Sequence, residues 1–166
     1  MRLRFYIASA AALGGLVLYA SPARADDLTG KMAPYSYLTA KPWNCTTNVP
    51  AMGGQPARTD QSTATFDVVP GNVVHNHVQG ANFSGDYYFG YTERMNSYWQ
   101  SAADNMGGHS FLTSSDGKTY SGTAGMGPMT MQDTTTYAKL APDKVSVHEV
   151  ISGGPMAGTF DTTCTQ

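Results

Sequence analysis

His75 and His77 stand two residues apart in the run VVHNHVQG, residues 73–80. Side chains of an extended strand repeat every two residues, so both imidazoles project from one face with Cα atoms about 6.6 Å apart. That spacing can chelate one zinc or copper ion through bonds of about 2.0 Å, provided that a third ligand arrives from elsewhere. His109, His148 and Glu149 are the candidates for that third position. The competing reading is two imidazoles that face water or a polar cavity and hydrogen-bond there. The letters HNH also spell a nuclease motif, but three residues are too few, and the helix and metal pattern of that fold does not accompany them.

Two further groups of residues have chemistry to offer. Met126, Met129 and Met131, with Met106 and Met156, supply soft thioethers of the kind that select Cu(I). The same side chains also fill irregular space in a core, and Met129 and Met131 share one face of a strand. Tyr87, Phe89 and Tyr91 alternate onto one face, and Tyr98 and Trp99 follow on the next strand. Together with Trp43 and the two methionines, these rings form a surface that suits an apolar or aromatic ligand, or simply a packed core. The chain contains no Gly-x-Ser-x-Gly elbow, no phosphate-binding loop ending in Lys, no His-Glu-x-x-His and no Cys-x-x-Cys. No nucleophile, base and orienting group stand out together, so no catalytic residues are assigned. Asn44 and Asn82 match the short glycosylation acceptor pattern and are read as unused.

Residues 1–25 read as a leader and are set apart from the expected fold. Arg2 and Arg4 precede the apolar stretch FYIASAAALGGLVLYA, and Ala23-Arg24-Ala25 forms a small-residue cleavage pattern, which together describe a secretory leader. The apolar run is shorter than the roughly 20 residues that a membrane span needs. Export to the periplasm or beyond, without membrane insertion, is the expectation. Without Arg2, Arg4 and Arg24, seven basic residues face twelve acidic ones. A mildly acidic chain with no basic cluster has no electrostatic basis for binding nucleic acid.

What must position the candidate residues is a series of strands. Charged residues make up only 13% of the chain, and Thr, Ser, Asn, Gln and Gly take their place, which suits β-structure. Strand-like runs bounded by turn signals recur from residue 41 onward: 41–49, 62–69, 73–79, 85–95, 97–103, 109–115, 118–123, 129–140, 144–151 and 156–165. Val69-Pro70-Gly71-Asn72 predicts a turn with a positive φ at the glycine, and Asp116-Gly117 predicts a two-residue hairpin. Cys45 and Cys164 are the only cysteines, and in an exported chain such a pair is most simply a disulfide. It would tie the first strand to the last, an arrangement that a closed barrel has and that a sandwich could also satisfy; many strands joined in order favour the up-and-down barrel over a Greek-key sandwich.

The stretch YTERMNSYWQSAADNMGGHSFLTSSDGKTYSGTAG (91–125), with Trp43 and Cys45 opening the first strand and Cys164 in the last, resembles small secreted bacterial barrels of the calycin, or lipocalin-like, group. The likeness covers residues 41–165, although Lys41-Pro42-Trp43 stands where true lipocalins carry Gly-x-Trp. It implies a barrel with either a small-molecule cavity or a filled interior. The sequence thus predicts an all-β, antiparallel up-and-down barrel of about 8–10 strands over 41–166, preceded by an extension over 26–40. The expected role is non-catalytic binding of a small apolar or aromatic molecule in the barrel interior, with no cofactor. A periplasmic zinc or copper binder, and an interaction protein with a filled core and no ligand, are the alternatives.

Overall fold

The structure, a computed structural model, describes residues 28–154 and 156–166; the segment expected to be a leader, 1–25, lies outside them. Ten antiparallel strands follow one another around a closed barrel: β1 Trp43–Val49, β2 Arg58–Val69, β3 Val73–Gly80, β4 Ser84–Thr92, β5 Ser97–Asp104, β6 Gly108–Ser114, β7 Thr119–Met126, β8 Met129–Ala141, β9 Lys144–Ser152 and β10 Gly158–Thr165. Each strand pairs with its sequence neighbours, and β1 closes the ring on β10. No edge strand is left to recruit another chain.

The alternation of side chains settles which face is inside. Cys45 lies directly opposite Cys164, and the two form the disulfide on the inner face at the closing seam. Trp43, Ala64, Val74, Phe89, Leu112, Tyr120, Met131 and Val145 are buried, and the register places each of them on that same face. Outward positions are rich in threonine and serine, which pair across strands: Thr119 with Thr136 and Ser121 with Thr134, each at 3.3 Å. Among the described residues no helix is long and apolar enough to cross a membrane.

One end of the barrel is corked. The segment that reads as an extension forms a 3₁₀-helix over Gly30–Ala40. A 3₁₀-helix repeats every three residues, so Met32, Tyr35 and Leu38 fall on a single ridge. That ridge enters the barrel: Leu28 and Met32 join the core cluster of Val74, Phe89, Leu112 and Tyr120, while Leu38 and Tyr37 pack on Trp43 and its neighbours. Hydrogen bonds fix it in place. Tyr35 donates to the carbonyl of Gly117, and its hydroxyl also meets that of Tyr120 at 3.0 Å. Trp43 donates from Nε1 to the carbonyl of Leu38 at 2.9 Å, and Thr29 exchanges two bonds with Asn72. Burial raises the Tyr35 hydroxyl to a pKa of about 12, so it stays a neutral donor.

The turns are close to expectation, with particular differences. Gly71 takes φ +91° between β2 and β3, as the Pro-Gly-Asn sequence requires. Asp116-Gly117 lies in a longer connection than a two-residue hairpin, because Asp116 acts as a local acceptor for the amides of Lys118 and Thr119 and for the Ser114 hydroxyl. Those bonds lower the Asp116 carboxyl below its ordinary range. β2 begins at Arg58 rather than 62, and β7 runs on to Met126, leaving Gly127 and Pro128 as the whole turn to β8.

Candidate functional site

The inner face is not uniformly apolar. Phe89, Tyr120 and Tyr137 meet edge to face at centroid distances of 5.6–6.2 Å and fill the middle of the barrel. Between this aromatic layer and the end opposite the cork lies a cavity of about 130 Å³. Its apolar wall comes from Ala102, Ala124, Met126, Met131, Ile151 and Met156. Its polar wall comes from Tyr87, Gln100, Asp104, Ser110, Asp133 and Glu149. Among the described residues neither Lys nor Arg lines it.

The strand register explains the position of the two deepest carboxyls. Met129, Met131, Asp133, Thr135 and Tyr137 are alternate residues of β8 and share the inner face. Thr135 pairs with Glu149 and Asp133 with Ile151, so Asp133 and Glu149 are diagonal neighbours, a relation that places Cβ atoms about 7–8 Å apart. Asp133 is 3% exposed and accepts a hydrogen bond from the Thr135 hydroxyl at 3.0 Å. Burial nevertheless raises its carboxyl above the ordinary aspartate range. Glu149 receives no such bond; burial first, and the nearby Asp133 charge second, push it up to about 7. Gln100, 3% exposed, is held by the Tyr137 hydroxyl at 2.8 Å, and Asp104 at the rim accepts from the amides of Met106 and Gly108. Asn76 sits on the inner face directly opposite Tyr87, and its Oδ1 is buried with no partner.

A carboxyl that holds its proton more tightly when folded destabilises the fold once it must ionise. The stability attached to Glu149 is present below its ordinary value near 4.5 and lost as pH rises towards 7. Glu149→Gln should therefore stabilise the protein by about 2–3 kcal/mol at pH 8 and leave it nearly unchanged at pH 4, as read from urea unfolding at the two pH values. A gain of equal size at both would show that the carboxyl is not confined.

The residues singled out in the sequence fall into separate places. Tyr87 and Met131 line the cavity. Phe89 belongs to the aromatic layer, and Tyr91 faces inward beside the cork, with its hydroxyl donating to Asn96 at 2.6 Å. Trp43 is fully buried at the corked end, away from the cavity. Met129 shares the inner face of β8 but, at the turn, is 36% exposed. Trp99 must be corrected: it points outward, because its alternate neighbours Tyr98 and Gln100 face in. Its indole lies over Gly90 of β4, where a Cβ would stand 2.4 Å from the ring.

His75 and His77 do share a face, and that face is the outer one, since Val74, Asn76 and Val78 occupy the inner positions. Both rings approach the same oxygen of Asp86, His75 through Nε2 at 2.8 Å and His77 through Nδ1 at 2.9 Å. His75 also stacks on Tyr88 at 4.8 Å. These bonds lower the Asp86 carboxyl. The point where the two imidazoles converge is thus taken by a carboxylate oxygen, and among the described residues no three His, Cys, Asp or Glu side chains are arranged to hold a metal ion. His148, tied to Asp161 at 2.6 Å, is on the outer face of β9, whereas its neighbour Glu149 is inside.

Asp133 and Gln100 were not among the expected site residues, and Glu149 was expected only as a third ligand beside His75 and His77. The signal for Asp133 was present, since it lies two positions beyond Met131 on a strand already assigned an inner face. The molecule is defined as a closed ten-stranded up-and-down barrel, corked at one end and hollow towards the other. In comparisons with known proteins, the chain matches no protein-family model and no curated protein sequence.

Proposed function

We propose that the protein is an exported, non-catalytic binding barrel of the lipocalin-like group, which holds a small molecule in the interior cavity between the aromatic layer and the uncorked end. The observation that carries this reading is the division of the interior. One half is filled by the cork and its aromatic partners, and the other keeps a cavity of about 130 Å³ with an apolar wall and a few polar groups. A cavity of roughly 150 Å³ accepts benzene, so the ligand has a body of about that size. The disulfide fits an oxidising compartment outside the cytosol.

The cavity favours this reading over a filled core with no ligand. A zinc or copper role for His75 and His77 has less support, because Asp86 occupies the point between them. The test is a two-dimensional NMR titration with benzene. Saturable shifts at amides of β5–β9 around the cavity are expected, and Ala124→Leu, which places bulk inside, should weaken them at least tenfold while the spectrum stays folded. Absence of saturation, or indifference to Ala124→Leu, would overturn the reading.

A further inference from the structure

We propose that the cavity is a cation site: it takes a small primary ammonium, holding the charged nitrogen between Glu149 and Asp133 and the hydrocarbon against Met131 and Ile151. This rests on the binding-barrel reading and specifies its ligand. Charge complementarity is the first argument, for carboxyls line the cavity from β5, β8 and β9 and, among the described residues, no Lys or Arg does. Free hydrogen-bonding capacity is the second. Glu149 projects from the inner face of β9 into the cavity and, among the described residues, accepts no hydrogen bond. An ammonium brings three donors and no acceptor, which matches acceptors in want of protons. Its charge also offsets the cost of ionising Glu149 in the interior. The third argument is size: the cavity leaves room for a short alkyl chain and not for a long acyl tail.

The titratable groups facing Glu149 are Tyr87 of β4, Asp104 of β5, and Asp133 and Tyr137 of β8, while β10 presents Phe160 opposite it; His109 of β6 borders the cavity, but its ring lies outward over Gly125. Burial keeps both tyrosines neutral, so the acids determine the charge of the cavity below the alkaline range. An ammonium should bind well at pH 8 and progressively less as the pH falls below 7 and Glu149 takes up a proton.

The experiment compares n-propylammonium with 1-propanol on the full mature protein by NMR titration, with benzene as the reference solute. The ammonium is expected to bind at least tenfold more tightly than the alcohol at pH 8. Its affinity should drop at least tenfold at pH 5 and in Glu149→Gln, so that the ratio of ammonium to propanol affinity falls towards one. Equal affinities for ammonium and alcohol in the unaltered protein would overturn the cation proposal while benzene binding leaves the cavity reading standing. Failure of all three solutes to saturate would overturn both.

Discussion

Replacing Cys45 and Cys164 together by alanine is expected to lower the free energy of unfolding by about 3–5 kcal/mol, and the melting temperature by roughly 10 °C or more. The two cysteines are 119 residues apart in sequence, so the bond encloses most of the chain, and the chain-entropy estimate for such a loop is about 5 kcal/mol. They are also the seam of the barrel, directly paired between β1 and β10 and buried in the cluster with Trp43, Ala64 and Val145. Loss of the bond frees the unfolded chain and leaves the closing pair of strands to their ladder hydrogen bonds, the Thr47–Thr162 hydroxyl pair at 2.8 Å and the remaining packing around Trp43. Urea unfolding of the variant, and of the native protein with and without reductant, measures the effect. A change below 1 kcal/mol would mean that closure does not depend on the bond.

Trp43→Ala should cost about 3–5 kcal/mol, for a different reason. The indole is fully buried, meets Tyr37 edge-on at 6.2 Å, and donates its only N–H to the Leu38 carbonyl of the cork. Truncation leaves a void and an unpaired carbonyl, and it weakens the grip of the barrel on Gly30–Ala40. The cork should then fray first, so amides of that segment should lose hydrogen-exchange protection more than those of β4–β7. Because Trp43 and the disulfide share one cluster, the combined variant should depart from additivity by 0.5 kcal/mol or more, in the order-of-magnitude sense of coupled neighbours. Additive losses with uniform exchange would contradict a cork anchored by this residue.

The strand pattern was legible because turn residues punctuate it. Pro70-Gly71-Asn72 and Pro142-Asp143 each separate runs that become adjacent strands, and the lone pair of cysteines, near the two ends of the strand series, foretold the seam. Alternation reveals which side chains share a face but not which face is inside. VVHNHV offers Val74 and Val78 on one side and Val73, His75 and His77 on the other, and only pairing with Ala64, Phe66 and Val68 of β2 turns the first set inward. Tyr98 and Trp99 posed the same problem, resolved by the vacancy that Gly90 leaves on the outer surface of β4. The cork escaped notice because Met32, Tyr35 and Leu38 follow a three-residue period, which neither the strand nor the α-helix pattern detects. A carboxylate ordinarily takes an outer face, so the inward placement of Asp133, and of Glu149 away from the two histidines, emerges only from the β8–β9 register.

Methionine methyl groups report on both ends of the barrel at once, and a spectrum of the methyl-labelled protein titrated with benzene or n-propylammonium tests the one-sided interior most directly. Met126, Met131 and Met156 line the cavity, and Met32 is buried in the cork. Saturable shifts at the first three, with Met32 unmoved, are the predicted result. Shifts centred on Met32, or none at any of the four at millimolar ligand, would contradict it.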